Sequence, residues 1–213
     1  MGLRMGRMKA VWIGVCLWVG AVHADVLLDQ GDLSGWDAQS FVGDTQYQRV
    51  ADAQRGFVLQ GVADGTASAL GFERRIDPAQ TPWLEWSWQV VTAPTLGAPE
   101  QSKAGDDYAA RVYVVRKGAF GILSTQSLVY VHSNARAIDD IWDSPYTGKV
   151  KMLAVANGTS GDWIRVKRNL AADWQRAFGR SLDELDGVAL MVDADNSGSR
   201  AAARFGQIAL RAN

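Results

Sequence analysis

The chain has 213 residues and almost balanced charge, with 22 Lys and Arg against 23 Asp and Glu, a single cysteine and two histidines. Such a length suits one domain with its own core. The missing basic excess argues against nucleic acid or an anionic membrane as the main partner, because both are held by neutralising phosphates.

Residues 1–24 read as a signal peptide. Arg4, Arg7 and Lys9 form a positive start, Ala10 to Val22 an apolar stretch, and Val22-His23-Ala24 a small-residue cleavage motif, with the cut expected after Ala24. The apolar run falls short of the roughly 20 residues that span a bilayer, so no stable membrane span is expected after cleavage. The expected compartment is the periplasm or the extracellular space. Cleavage removes Cys16 and His23 and leaves His132 as the only histidine, with 19 basic and 23 acidic residues and a net charge of −4. A disulfide scaffold, a thiol nucleophile, cysteine-ligated zinc and a multi-histidine site are thereby excluded.

From Thr45 onward the hydrophobic pattern has a period of two. In Pro82 to Val90 it puts Leu84, Trp86, Trp88 and Val90 on one face and Trp83, Glu85, Ser87 and Gln89 on the other. Similar runs cover 54–62, 67–76, 108–116, 127–133, 149–156, 163–170, 188–192 and 204–211. The turn-rich Asn157 to Asp162 predicts a hairpin between two of them. One helix is predicted over Ala171–Phe178, closed by Gly179, with Trp174 and Phe178 on a shared face. A second helical turn is expected around Ser181–Leu185. Many short strands without long intervening helices predict an all-β fold over residues 25–213, a jelly-roll-like antiparallel β-sandwich with one or two short helices.

Three segments then stand out: Gly105 to Val115 (GDDYAARVYVV), Arg168 to Gly179 (RNLAADWQRAFG) and Met191 to Gly198 (MVDADNSG), followed by Phe205-Gly206. In content and order they resemble the bacterial exported family known as domain of unknown function 3047. The resemblance covers nearly all of the chain beyond the leader. It implies no assigned activity and no catalytic residue. One departure is His132, at a position where the resemblance leads us to expect Trp.

The candidate ligand-binding residues are Asp106, Asp107, Arg111, Tyr113, Trp142, Asp193 and Asp195. Asp193 and Asp195 lie two apart, with Cα atoms about 6.5 Å apart in extended backbone. With Ser197 and Gly198 they match the first half of a calcium loop, but Arg204 stands where the closing Glu belongs. A calcium site therefore needs a ligand from another loop, and the competing reading is a β-turn capped by its own Asx side chains. No other cofactor is implied. If extended, Asp106 and Asp107 face opposite ways, so only one of them joins Arg111 and Tyr113. Arg111 either offers its fork to a polar ligand or is locked by an aspartate as a strut.

Of the seven tryptophans beyond the leader, Trp86, Trp88, Trp163 and Trp174 are assigned to the core. Trp83 and the loop residue Trp142 are the rings that exposure would turn into sugar-stacking surfaces. A Ser–His–Asp relay on His132 lacks its strand–turn–helix context. The residues together point to a non-catalytic module that binds carbohydrate or another polar cell-envelope ligand. The alternatives are a glycoside hydrolase or lyase using an aspartate pair, which requires two carboxylates about 5–10 Å apart in an open cleft, and a purely structural envelope protein.

Overall fold

The computed structural model describes residues 24–118, 121–158 and 161–212, so the leader reading falls outside the described residues. The strands are β1 (Ala24–Leu28), β2 (Asp37–Val42), β3 (Gln46–Asp52), β4 (Gly56–Asp64), β5 (Ala67–Ile76), β6 (Trp83–Thr92), β7 (Arg111–Gly118), β8 (Gly121–Ser133), β9 (Ile141–Ser144), β10 (Thr147–Asn157), β11 (Trp163–Asn169), β12 (Leu185–Asp193) and β13 (Arg200–Arg211). The helix α1 (Leu170–Phe178) lies between β11 and β12.

Two sheets face each other. The six-stranded sheet runs β11-β6-β13-β4-β3, with β1 paired to β13, and the seven-stranded sheet runs β2-β5-β12-β7-β8-β10-β9. The expected β-sandwich is the fold. Its core lies between the sheets and follows from the alternation: Leu84, Trp86, Trp88 and Val90 of β6 meet Val112 and Val114 of β7, Leu128 and Tyr130 of β8, and Val188, Leu190 and Val192 of β12. Trp86 packs 5.5 Å from Trp88 and 5.1 Å from Tyr130, ring centre to ring centre. Trp174 is also buried and stacks on Phe178 at 4.4 Å.

The helix obeys its end signals. The Asn169 side chain accepts from the Ala172 N–H at 2.9 Å, and Gly179 closes the last turn at φ 68°.

Four expectations are corrected. Asn157 to Asp162 is not a hairpin, because β10 belongs to the seven-stranded sheet and β11 to the six-stranded one. Residues 181–184 form no helical turn. One strand pair, β8 with β10, is parallel. The chain leaves β8, passes one strand position to lay down β9, and returns through a hairpin that seats β10 in the gap. Trp163 is only half-buried, its ring lying 4.3 Å from the Arg55 guanidinium carbon rather than in the core.

The seven-stranded sheet is also apolar on its outer face. Val129, Val131, Met152 and Ala154 are buried there together with Tyr108 and Trp142. Tyr108 belongs to the connection between β6 and β7, which crosses from one sheet to the other. This connection is folded tightly: a Cβ on Gly105 would lie 2.6 Å from the Ala98 carbonyl oxygen and closer still to that of Pro99. Only glycine permits that approach. Gly105→Ala is expected to lower the unfolding free energy by about 1–3 kcal/mol, a typical overpacking cost, read from urea denaturation against wild type.

Candidate functional site

Arg111 opens β7 and Asp193 closes β12, and the antiparallel register that pairs Arg111 with Met191 sets the two side chains at one end of the sheet. Arg111 is 4% exposed and Asp193 1% exposed. Nε of Arg111 donates to Oδ1 of Asp193 at 2.8 Å, and Nη2 donates to Oδ2 of Asp193 and to the Asp106 carbonyl. Nη1 reaches the Asp106 carboxylate at 3.5 Å. The guanidinium also lies over the Tyr108 ring, 4.5 Å from its centre. The fork is thus almost fully engaged inside the protein, which is the strut arrangement. Asp193 Oδ1 takes a further N–H from Tyr108 at 3.2 Å.

Asp106 and Asp107 lie just before β7, after a single 3-10 turn at Lys103–Gly105, and Asp106, at φ −78° and ψ 50°, is not in extended backbone. Both join the cluster, by different routes. Asp106 answers Arg111. Asp107 is buried and caps the turn after β12, accepting from the backbone N–H of Asn196 at 3.1 Å and of Ser197 at 2.6 Å, and from Nδ2 of Asn196 at 3.2 Å. The turn after Asp193 is therefore capped from a distant loop. Gly198, at φ 61°, completes the bend.

The electrostatics follow from crowding. Four carboxylates, Asp106, Asp107, Asp193 and Asp195, share one guanidinium. Burial raises Asp106 above its ordinary range and lifts Asp193 to about 7, outweighing the pull of Arg111 in both. Burial, with the charge of Asp107, also raises Asp195. Burial pushes the Tyr113 hydroxyl up to about 12, so it stays protonated; its O–H points to the Met191 sulfur at 3.4 Å. The potential metal ligands are Asp107, Asp193 and Asp195, each with one carboxylate oxygen within 4.8 Å of the others.

This charged end opens onto a trough on the outer face of the seven-stranded sheet. Ala67, Ala69 and Gly71 of β5, Gly187, Ala189 and Met191 of β12, and Tyr113 and Val115 of β7 share that face by register. Two cavities of about 470 Å³ lie along it. One is lined by Gln39, Gly71, Val115, Lys117 and Ala189, the other by Phe41, Ala67, Asp106, Arg111, Tyr113, Tyr146, Met191, Asp193, Asp195 and Asn196.

Two predicted rings are placed elsewhere. Trp142 is 8% exposed and packs among Val129, Val131 and Met152, with Arg136 5.0 Å from its ring centre, so it is core and not a ligand platform. Trp83 is half-buried, with the Lys167 ammonium 4.8 Å from its ring centre. The exposed rings at the trough are instead Phe41, 58% exposed, and Tyr146, 55% exposed. Tyr146 donates to Oδ1 of Asn196 at 2.7 Å, tying the β9–β10 turn to the turn after β12. Sequence reasoning also missed Glu100. It is buried and accepts from the Ser133 hydroxyl at 2.8 Å and from the N–H groups of Asn134, Ala135 and Arg136 at 3.0, 3.2 and 2.9 Å. Its only sequence signal is an acid in a turn-rich segment.

His132 lies apart from the trough, facing the sandwich interior 6.3 Å from the Trp88 ring, with Nε2 2.7 Å from the Gly158 carbonyl. Burial lowers its pKa below 6.5.

Two predictions follow from this wiring. Arg111→Leu leaves buried carboxylates without their cation and is expected to cost about 3–5 kcal/mol in urea unfolding. His132 is held neutral in the fold but takes up a proton near pH 6.5 when unfolded, so its contribution is fully present above that pH and is lost as the pH falls below it. Between pH 7.5 and 5.5, the melting temperature of wild type should therefore drop further than that of His132→Gln.

A family model described as "Protein of unknown function (DUF3047)" matches residues 34–209. No curated protein matches the chain. Among solved structures, it is similar to the family 30 carbohydrate-binding module of the cellulosomal cellulase Cel9D-Cel44B of Clostridium thermocellum, at 12% identity and a TM-score of 0.54, covering 88% of this chain and 96% of that one. It is similar to the conserved carbohydrate esterase vb_24B_21 of the Shiga toxin-encoding bacteriophage phi24B, at 12% identity and a TM-score of 0.49, covering 91% and 100%. It also matches the glycoside hydrolase domain of Endo-D from Streptococcus pneumoniae R6 at 11% identity and a TM-score of 0.45, over 84% of this chain but only 22% of that one.

Proposed function

The chain belongs to the DUF3047 family, and from the trough on its seven-stranded sheet we propose a non-catalytic module that binds carbohydrate, most simply an extended polysaccharide of the cell envelope. The observation that carries this reading is an apolar-floored trough, flanked by the exposed rings of Phe41 and Tyr146, that ends in polar side chains. Sugars present C–H faces that stack on aromatic rings and hydroxyls that take up amide and carboxylate partners. Asp193 lies six positions beyond Gly187 along β12, a span of about 20 Å at strand rise, enough for several sugar units.

The site divides its labour. Asp195 and Asn196 are half-buried and border the cavity, so hydroxyl contacts fall to the Asp195 carboxylate and to the remaining lone pair of Asn196 Oδ1, and Tyr113 and Met191 form the floor. Arg111, Asp106 and Asp107 position this edge. The fold shared with a carbohydrate-binding module supports the reading.

The wiring favours binding over hydrolysis. Asp107 and Asp193 have both oxygens committed to N–H donors, so neither can act as acid or base without giving up bonds that hold the site together. Export to the periplasm or beyond belongs to the same proposal and rests on the leader pattern of residues 1–24. Among the described residues no helix is long and apolar enough to cross a membrane.

Affinity electrophoresis in gels cast with soluble cell-wall, storage and surface polysaccharides tests the reading. Wild type should be retarded by at least one of them. Phe41→Ala and Tyr146→Ala should each weaken that retardation by about tenfold, the loss of one stacked ring, with Phe41→Ala melting as wild type and Tyr146→Phe, which loses only the bond to Asn196, retaining most of the retardation. Unretarded wild type across the panel, or full binding by both alanine variants, overturns it.

A further inference from the structure

The charged end of the trough gathers four carboxyl groups around one guanidinium. Asp107, Asp193 and Asp195 each bring one carboxylate oxygen within 4.8 Å of the others. Calcium binds oxygen at about 2.3–2.6 Å, so ligand atoms up to roughly twice that distance apart can share one ion. An acidic cluster alone is common on protein surfaces, but Asp106 supplies a separate observation. It is 5% exposed, borders the same cavity, and its Oδ1 is buried with no hydrogen-bond partner. A carboxylate oxygen withdrawn from water and given no donor is costly unless a cation or a bound water meets it.

The donors present leave room for an ion. Each carboxylate oxygen has two lone pairs, and Asp107 Oδ2 takes a single N–H, from Ser197, Asp193 Oδ2 a single one, from Nη2 of Arg111, and the side chain of Asp195 one, from Nδ2 of Asn196 at 3.3 Å. Arg111 is, among the described residues, the one cationic side chain lining this cavity, against four carboxyl groups. Lys103, 5.4 Å from the centre of the Tyr146 ring, makes no ion pair with any of the four. The ligand atoms are all carboxylate oxygens from two rigid segments, with no nitrogen or sulfur among them, which selects a hard cation over zinc or copper.

We propose that Asp107, Asp193 and Asp195 bind one calcium ion at the end of the trough, where Asp106 borders the same cavity with its unpartnered, buried Oδ1. Asp107 comes from the loop before β7 and the other two from the turn after β12, so the second loop supplies what the half-matched calcium motif lacks. The ion cross-links these two segments. The inference does not depend on the carbohydrate reading, because neither Phe41 nor Tyr146 is a ligand.

The test uses the full chain beyond residue 24, stripped with a chelator and titrated with calcium chloride by calorimetry, with thermal melts in parallel. One ion per chain is expected, with a Kd on the order of 10⁻⁴ to 10⁻³ M, as in extracellular calcium modules, and a melting temperature that climbs with calcium. Asp195→Asn, at a half-exposed position, should melt as wild type in chelator and bind calcium at least tenfold more weakly. No heat and no melting shift up to about 10 mM calcium, ten times the weakest such affinity, would overturn the assignment. Undiminished binding by Asp195→Asn would overturn it equally.

Discussion

A guanidinium removed from water must be met by carboxylates, and Arg111 meets two of them while sealed beneath the edge of a sheet. That ion pair joins the first residue of β7 to the last residue of β12, 82 positions apart in sequence. It also holds the loop before β7 through the Asp106 carbonyl. Because Asp107 lies one residue further along the same loop and caps the turn after β12, fixing Arg111 fixes that turn too. A single buried interaction thus determines where Asp195, Asn196 and the Tyr146 hydroxyl stand.

The alternation of Leu84, Trp86, Trp88 and Val90 declared the core face because a half-buried strand is written in sequence at a period of two. The strands that escaped notice carry no such signal. β2 is exposed along its whole length, and β9 has only four residues. The parallel pairing of β8 with β10 is invisible for another reason: periodicity records which face of a strand is buried and says nothing of its neighbour. Turn chemistry has the same limit, since the glycine-rich stretch after Asn157 breaks a strand equally well before a hairpin and before a passage between sheets.

The site was legible where its residues cluster along the chain and obscure where space alone gathers them. Asp193 and Asp195 with Ser197 and Gly198 form a local pattern, and Arg111 on an alternating strand demands a partner. Glu100 has no such neighbours, yet it accepts from three consecutive backbone N–H groups after β8. Trp142 misled for a physical reason. A large ring in an acidic, proline-containing loop looks exposed, but the outer face of β8 and β10 is itself apolar and claims the ring.

The contrast between the wired and the open halves of the site bears on how a ligand is held. Side chains with every donor engaged cannot turn toward a sugar, so they contribute by keeping their neighbours still. Asp195, whose carboxylate takes one donor, is the residue with spare capacity, and it borders the cavity. Phe41 and Tyr146 flank the same space with half or more of their surface open to solvent. A site whose supporting layer is already ordered loses little further freedom on binding, which is how a shallow trough with few direct contacts attains useful affinity. The buried charges of this protein are therefore best understood as the fixed frame for a small number of open contacts.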